Sequence, residues 1–251
     1  YTSIISEDKI FTWEKTFERC RLFSSALKKR GVKKGQVVSI LCPNTKEMYE
    51  SHFSIPMSGA ILNTINTRYH YKEIEYILDN SKTKLLIIHS DYLNEIIKIK
   101  KIRQKKIPLI IIKDENIKKE INPNYENYET FLKKGSLKDE KFKITDEFSP
   151  ISISYTSGTT GRPKAVITTH RAAYLNSLGN KFLWNIEKHT KFLWTLPMFH
   201  SNGWRFTWTI AALAGVNICL KKIDEKLIIK HIKKYNVTNM CCAPIVLKKI
   251  L

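Results

Sequence analysis

The residues from Ser154 to His170, SYTSGTTGRPKAVITTH, gather Ser and Thr hydroxyls, two glycines, a proline and one lysine in a short span. The preceding SPISIS reads as a short apolar strand, and the following RAAYLNSLGN reads as a helix. Glycines let backbone N–H groups approach an anion closely, and successive N–H groups form an anion-binding nest. Hydroxyls add donors or Mg²⁺ ligands, and a lysine adds a point charge. Such a set suits a triphosphate cradle. It is not a Walker A loop, which needs four residues between its glycines and Ser/Thr after the lysine. Here two residues separate Gly158 from Gly161, and Ala165 follows Lys164. It is not a Gly-x-Ser-x-Gly nucleophile elbow either, because Tyr155 sits two residues before Ser157.

A loop of this kind needs a strand to deliver it and a sheet to hold the strand. In open parallel sheets ligands bind beyond the carboxyl ends of the strands. The apolar spacing of Trp13, Phe17, Leu22/Phe23 and Ala26/Leu27 predicts a helix over 13–29, stopped by Gly31. QVVSIL, a helix over about 46–58, a strand around 60–65, a helix near 72–80, KLLIIH, a helix over YLNEIIKIKKI and PLIII follow in turn. Residues 113–148 are charged and Asn-rich and read as a long surface connection. The alternation resumes with ISISY, a helix after His170, KFLWTLP, a helix near 206–215, NICL, a helix near 224–235 and NMCCA. Short apolar strands alternating with helices predict an α/β fold of two stacked layers, with largely parallel sheets flanked by helices. The expected division is 1–145 and 146–251, the second part carrying the phosphate loop. APIVLKKIL reads as the opening of a helix, so the chain is expected to stop inside a domain and to be part of a longer protein.

The 251 residues suffice for a sizeable core, and no apolar run is long enough to span a bilayer. The formal net charge of +20 comes from 43 basic and 23 acidic residues, the basic ones overwhelmingly Lys. Specific base readout and bidentate phosphate recognition lean on Arg, so no specific nucleic-acid partner is expected. The run Lys98, Lys100, Lys101, Arg103, Lys105, Lys106 reads as a solvated helix face, with contact to an anionic lipid surface as the alternative. Five cysteines in mostly apolar flanks, with no Cys-x-x-Cys pair, read as packed thiols in a reducing intracellular compartment. Thr169 and His170 are expected to cap the helix that follows them.

The order Tyr-Thr-Ser-Gly-Thr-Thr-Gly-x-Pro-Lys, Tyr155 to Lys164, resembles the signature of the adenylate-forming (AMP-binding) superfamily. TLPMFHSNGWRFTW resembles that superfamily's second landmark, and its His-x-x-Gly-Trp form, His200 to Trp204, is similar to fatty and aromatic acyl-CoA ligases of the acyl-activating type. The likeness extends over essentially the whole chain and implies the N-terminal portion of the family's large domain. One departure is visible: Ala165 stands where the family usually has Gly. Ala fits there if φ is negative and its Cβ is uncrowded.

The resemblance implies an acyl-CoA synthetase: a carboxylic acid reacts with ATP to release pyrophosphate, and the thiol of coenzyme A then attacks the acyl-adenylate. It implies that Thr156, Ser157, Gly158, Thr159, Thr160 and Gly161 wrap the β- and γ-phosphates, that Thr159 lies nearest Mg²⁺, and that Lys164 neutralises phosphate charge. His200, Gly203 and Trp204 would line the junction of acid and adenylate, with Lys164 and His200 as the catalytic candidates. The family's later acidic Mg²⁺ ligand, ribose-binding aspartate and C-terminal lysine lie beyond this chain, so alone it is expected not to complete adenylation. The alternative from another class is a degenerate, non-catalytic module that binds anionic membranes or nucleic acid. Unassisted by the resemblance, His200, Trp204, Phe206 and Trp208 would each read as ordinary packed side chains.

Overall fold

The computed structural model describes residues 1–114, 125–138, 142–156 and 162–250. In chain order the elements are β1 (Thr2–Ser6), β2 (Lys9–Thr12), α1 (Trp13–Lys29), β3 (Val37–Leu41), α2 (Lys46–Met57), β4 (Ile61–Thr64), α3 (Tyr71–Asn80) and β5 (Leu85–His89). They continue with α4 (Leu93–Ile96), α5 (Lys100–Arg103), β6 (Leu109–Ile112), β7 (Glu126–Asn127), α6 (Tyr128–Leu132), β8 (Pro150–Thr156), β9 (Lys164–Thr169) and α7 (His170–Leu183). The last are β10 (Lys191–Trp194), α8 (Ser201–Trp204), α9 (Phe206–Ala212), β11 (Val216–Cys219), α10 (Glu225–Tyr235), β12 (Asn239–Met240) and α11 (Pro244–Ile250).

Local chemistry sets many of these boundaries. Thr12 caps α1 by accepting from the Lys15 N–H at 3.1 Å. Glu14 in the first turn and Lys28 and Lys29 in the last complement the helix dipole. Thr169 caps α7 by accepting from Ala172 N–H, as expected, while His170 is the first helical residue.

The strands form two sheets. One has seven strands in the order β7-β6-β5-β3-β4-β8-β9, parallel except for the antiparallel edge strand β9. The other has five, β12-β10-β11-β1-β2, parallel except for β2. The period-2 alternation of strand side chains sorts them into layers. Val38, Ile40, Leu85, Ile87, Ile110 and Ile112 of the larger sheet join Ile4, Phe192 and Trp194 of the smaller one in a single core. Helices α1, α2, α6 and α9 contribute to the same core, so they lie between the sheets. Leu86, Ile88, Leu109 and Ile111 face outward onto α3, α4 and α5. Ile5, Leu193 and Ile218 face outward onto α10.

Sheet membership cuts across the expected division at residue 145. β1 pairs with β11 and carries β2 on its other side, so both join a sheet whose other strands come from beyond residue 190, and β8 and β9 close the sheet built by β3–β7. The cause is parallel pairing at a distance: Ile4 stands opposite Asn217.

Residues 113–148 are not only a surface connection. Within them α6 buries Tyr128, Phe131 and Leu132 in the central core. Its Glu129 accepts two hydrogen bonds at 2.8 Å from Arg19, whose Nε also reaches Glu50 at 2.5 Å. The Tyr128 hydroxyl donates to Glu50 at 3.0 Å. Burial pushes the Glu50 carboxyl above the usual range, and Arg19 and Lys46 hold Glu129 down to about 2.

The helix expected over YLNEIIKIKKI is broken into α4 and α5. Ile96, Ile99 and Ile102 recur every third residue, and all three are buried. A continuous α-helix would carry such a row around its axis by about 60° at each step. Extended backbone at Ile99 (φ −72°, ψ 124°) resets the register instead. The basic side chains of this stretch are exposed, and two of them pair locally, Lys98 with Glu95 and Lys101 with Asp79. No helix among the described residues is long and apolar enough to cross a membrane. Cys20, Cys42 and Cys219 are buried and all five cysteines are free thiols. Burial pushes the thiols of Cys20, Cys42 and Cys219 up, and that of Cys241 to about 11.

Candidate functional site

Strand β8 ends at Thr156, and β9 begins at Lys164 directly opposite it. Thr156 and Lys164 are therefore the two gateposts of the loop between them, and both are exposed. Ser157, Gly158, Thr159, Thr160 and Gly161 lie outside the described residues. The flanks of the loop are moored to α3. The Tyr155 hydroxyl donates to Asn80 Oδ1 at 2.7 Å, and the Arg162 guanidinium lies 5.5 Å from the centre of the Tyr76 ring. Burial raises the Tyr155 phenol above its ordinary value. Ala165 sits in β9, is exposed, and is not among the residues with positive φ. Both conditions for replacing glycine there are met.

The second motif makes an uncommon backbone. Ser201, Asn202, Gly203, Trp204 and Arg205 all have positive φ, from 47° to 64°. This is a turn of left-handed helix, costly for L-residues at roughly 1–2 kcal/mol each, and it persists only where the surroundings impose it. Two contacts do so. Asn202, fully buried, donates through Nδ2 to Ser152 Oγ at 2.8 Å and Ser154 Oγ at 3.3 Å. Gly203 lies on the Trp194 ring so closely that a Cβ would stand 2.5 Å from Cζ3. On either side, Thr64 Oγ1 donates to the Phe199 carbonyl at 2.9 Å, and Asn180 Nδ2 to the Trp204 carbonyl at 3.1 Å.

Asn202 is thus the link between the two motifs. It bonds the strand that leads into the 157–161 loop, two residues below Thr156 at Ser154. His200 is exposed at the start of the turn, Gly203 is buried, and Trp204 is 48 % exposed. Trp204 is therefore not a core tryptophan, whereas Phe206 is a core residue. His200 and Lys164 make no hydrogen bond to one another among the described residues.

Sequence reasoning missed Asn202, Asn44, Tyr76 and Asn80. Asn44, just past β3, donates to the Trp194 and Leu196 carbonyls, both at 2.9 Å, and accepts from Met198 N–H at 2.8 Å. It fixes the exit of β10 that carries His200. The signal for Asn202 was its place in Ser-Asn-Gly, since Asn and Gly are the residues that enter the left-handed region most readily.

Among the described residues, His89, Asp91 and Asp114 have potential ligand atoms within 4.8 Å of one another at the carboxyl ends of β5 and β6. The Lys221 ammonium pairs with both Asp91 (3.1 Å) and Asp114, so a side-chain cation already serves these carboxylates.

Comparisons with known proteins bear on the family and the fold. The family described as AMP-binding enzyme matches residues 1–251. The chain is 38 % identical to an acetate–CoA ligase of Humulus lupulus, over 100 % of this chain and 46 % of that protein. It is 39 % identical to a peroxisomal benzoate–CoA ligase of Arabidopsis thaliana, over 100 % of this chain and 45 % of that protein. The chain thus spans about half the length of the curated relatives it matches. Its fold is that of a long-chain-fatty-acid–CoA ligase from Archaeoglobus fulgidus, at a TM-score of 0.86 and 22 % identity, over 99 % of this chain and 50 % of that one. It is also that of an o-succinylbenzoate–CoA synthetase from Bacillus subtilis in complex with ATP and magnesium, at a TM-score of 0.79 and 18 % identity, over 99 % and 61 %. On the match over its whole length, the chain belongs to the AMP-binding enzyme family.

Proposed function

We propose that this chain supplies the phosphate loop and the acid-facing wall of an acid–thiol ligase. The reaction joins ATP and a carboxylic acid into an acyl-adenylate with release of pyrophosphate, and coenzyme A then takes the acyl group as a thioester. The observation that carries the reading is Asn202, which ties the His200–Trp204 turn to the strand entering the phosphate loop. A phosphate-binding element and a second motif are thereby held on one strand end, as an adenylation reaction requires.

In this reading the hydroxyls and N–H groups of Thr156–Gly161 hold the β- and γ-phosphates. Lys164, on the opposite gatepost, offsets their charge and that of the departing pyrophosphate. Mg²⁺, when bound, neutralises phosphate charge, and Thr159 is the residue assigned to it by the motif. His200 and Trp204 flank the acid and orient its carboxylate for in-line attack on the α-phosphate. Relatives named as ligases of acetate, butyrate, benzoate and cinnamate favour a fatty or aromatic acid. The basic membrane- or nucleic-acid-binding module draws no support from these relatives.

The test is product identification. The full-length protein, given Mg-ATP, coenzyme A and one acid at a time from a panel of short fatty, aromatic and cinnamic acids, is expected to form the matching CoA thioester, seen by mass spectrometry. ATP consumption without thioester or adenylate for any acid would overturn the proposal.

A further inference from the structure

The left-handed turn ends at Arg205, itself at φ 64°, ψ 10°. Its half-buried guanidinium reaches the Thr168 hydroxyl at 3.4 Å, the limit of a hydrogen bond. Its Nε is buried with no partner, and no carboxylate pairs with it among the described residues. Asn202 Oδ1 is likewise buried with no partner. The two side chains converge on the same patch of sheet, because Asn202 bonds Ser152, and Ser152 stands opposite Thr168 in the β8–β9 register. α7 flanks the turn, through Asn180, which binds the Trp204 carbonyl and the Thr209 hydroxyl.

Elsewhere in this protein buried cations are matched. Arg19 has two carboxylates, and Lys221 has two. Arg205 has a hydroxyl at the edge of reach. An arginine carries five donors and stays charged at all working pH values. Placing it partly desolvated beside the acid-facing wall, with a buried N–H unanswered, costs stability unless something accepts from it.

We propose that Arg205 is a specificity-determining residue. It selects acids that bear a hydrogen-bond acceptor, a carbonyl or a second carboxylate, at the end remote from the reacting carboxylate. The inference rests on the function proposed above and narrows its substrate class from plain fatty or aromatic acids to acceptor-bearing ones. A planar fork of donors fits either oxygen group, and a site built to bond an oxygen discriminates strongly against the analogue that lacks it.

The experiment compares matched acids in the full-length protein: hexanoate, 5-oxohexanoate and adipate, each scored by kcat/KM for pyrophosphate release. The wild-type protein is expected to prefer 5-oxohexanoate or adipate over hexanoate by on the order of tenfold or more. A preference for adipate alone identifies an anionic partner, and a shared preference identifies the carbonyl oxygen. Arg205→Met, of similar length without donors, should collapse the ratio of the favoured acid to hexanoate toward one. Arg205→Lys should restore part of the adipate preference through charge and little of the 5-oxohexanoate preference. The wild-type ratios need no variant, so a misfolded mutant does not decide the matter. Turnover of hexanoate at least as fast as the other two acids overturns the inference and leaves the ligase reading standing. A ratio unchanged in Arg205→Met also overturns it and assigns the two orphaned atoms to a bridging water. Absence of acid-dependent pyrophosphate release with every acid, fatty and aromatic panels included, overturns the ligase reading and this inference with it.

Discussion

Replacing Gly203 by alanine should damage the protein for two separable reasons, both fixed by geometry. At φ +61° a Cβ is strained wherever it points, by about 1 kcal/mol relative to glycine. Here it points 2.5 Å from Trp194 Cζ3 and 2.9 Å from Cη2. Trp194 has little room to withdraw: it is fully buried, its Nε1 donates to Asn217 Oδ1 at 3.0 Å, and its ring meets Phe192 at 4.9 Å. Overpacking of such a site costs typically about 1–3 kcal/mol, so the total is about 2–4 kcal/mol. Urea or guanidinium titration of the full-length protein should show a lower midpoint with an unchanged slope. The control is Gly179→Ala inside α7, where nothing lies within 4 Å of the added methyl and φ is not positive. That change should stabilise by roughly 0.5–1 kcal/mol. A Gly203→Ala loss below about 0.5 kcal/mol would refute the left-handed turn and its seat on Trp194.

Other outcomes follow from the same contacts. Asn202→Ala removes the tie between the motifs and leaves Ser152 and Ser154 without it; a loss of about 1–3 kcal/mol is expected by denaturant titration, and a neutral effect would argue that the turn is held otherwise. Arg19→Met strands the buried Glu50 carboxylate and should destabilise by about 3–5 kcal/mol, whereas the exposed pair Arg171–Glu147 should give less than about 1 kcal/mol when broken. Burial lowers the His52 pKa from 6.5 to about 4, with Nδ1 donating to the Met48 carbonyl. The unfolded chain therefore takes up the proton first as pH falls, so the stability is present above about pH 6.5 and is lost toward pH 4. His89 and His170 are shifted the same way and add to this slope. Between pH 7 and pH 5 the His52 contribution is about 2 kcal/mol, and His52→Leu should show a correspondingly flatter dependence in thermal unfolding.

Much of the architecture was legible because it rests on local signals. The helix read over 13–29 is α1, residue for residue, since Phe23, Ala26 and Leu27 of its apolar stripe are buried and Gly31 follows its end, although Phe17 of that stripe is exposed. KLLIIH, PLIII and NICL became β5, β6 and β11 because a buried parallel strand is a short apolar run whatever it pairs with. What escaped depended on partners far along the chain. β1 is a plain TSIIS, given its meaning only by β11 more than two hundred residues later. β9 was absorbed into the loop motif, although its pairing with β8 is what sets Lys164 opposite Thr156. α6 is a five-residue helix, too short to show a period, and its contribution is visible only through Arg19 and Glu50. At the site, the motif named Lys164, His200 and Trp204, but the side chain that joins the two motifs, Asn202, has no chemistry of its own to advertise it. A left-handed turn of four non-glycine residues and one glycine goes against local preference, and only the finished packing explains it.

The most direct measurement of the central claim is acid-dependent exchange of labelled pyrophosphate into ATP, in the absence of coenzyme A, for the full-length protein and its Lys164→Ala variant. The account predicts exchange that requires a carboxylic acid, and a loss on the order of a hundredfold in the variant, about 3 kcal/mol of transition-state stabilisation, with little change in thermal stability because Lys164 is exposed. Exchange that is absent in the wild-type protein with every acid, or that proceeds equally well without Lys164, would contradict it.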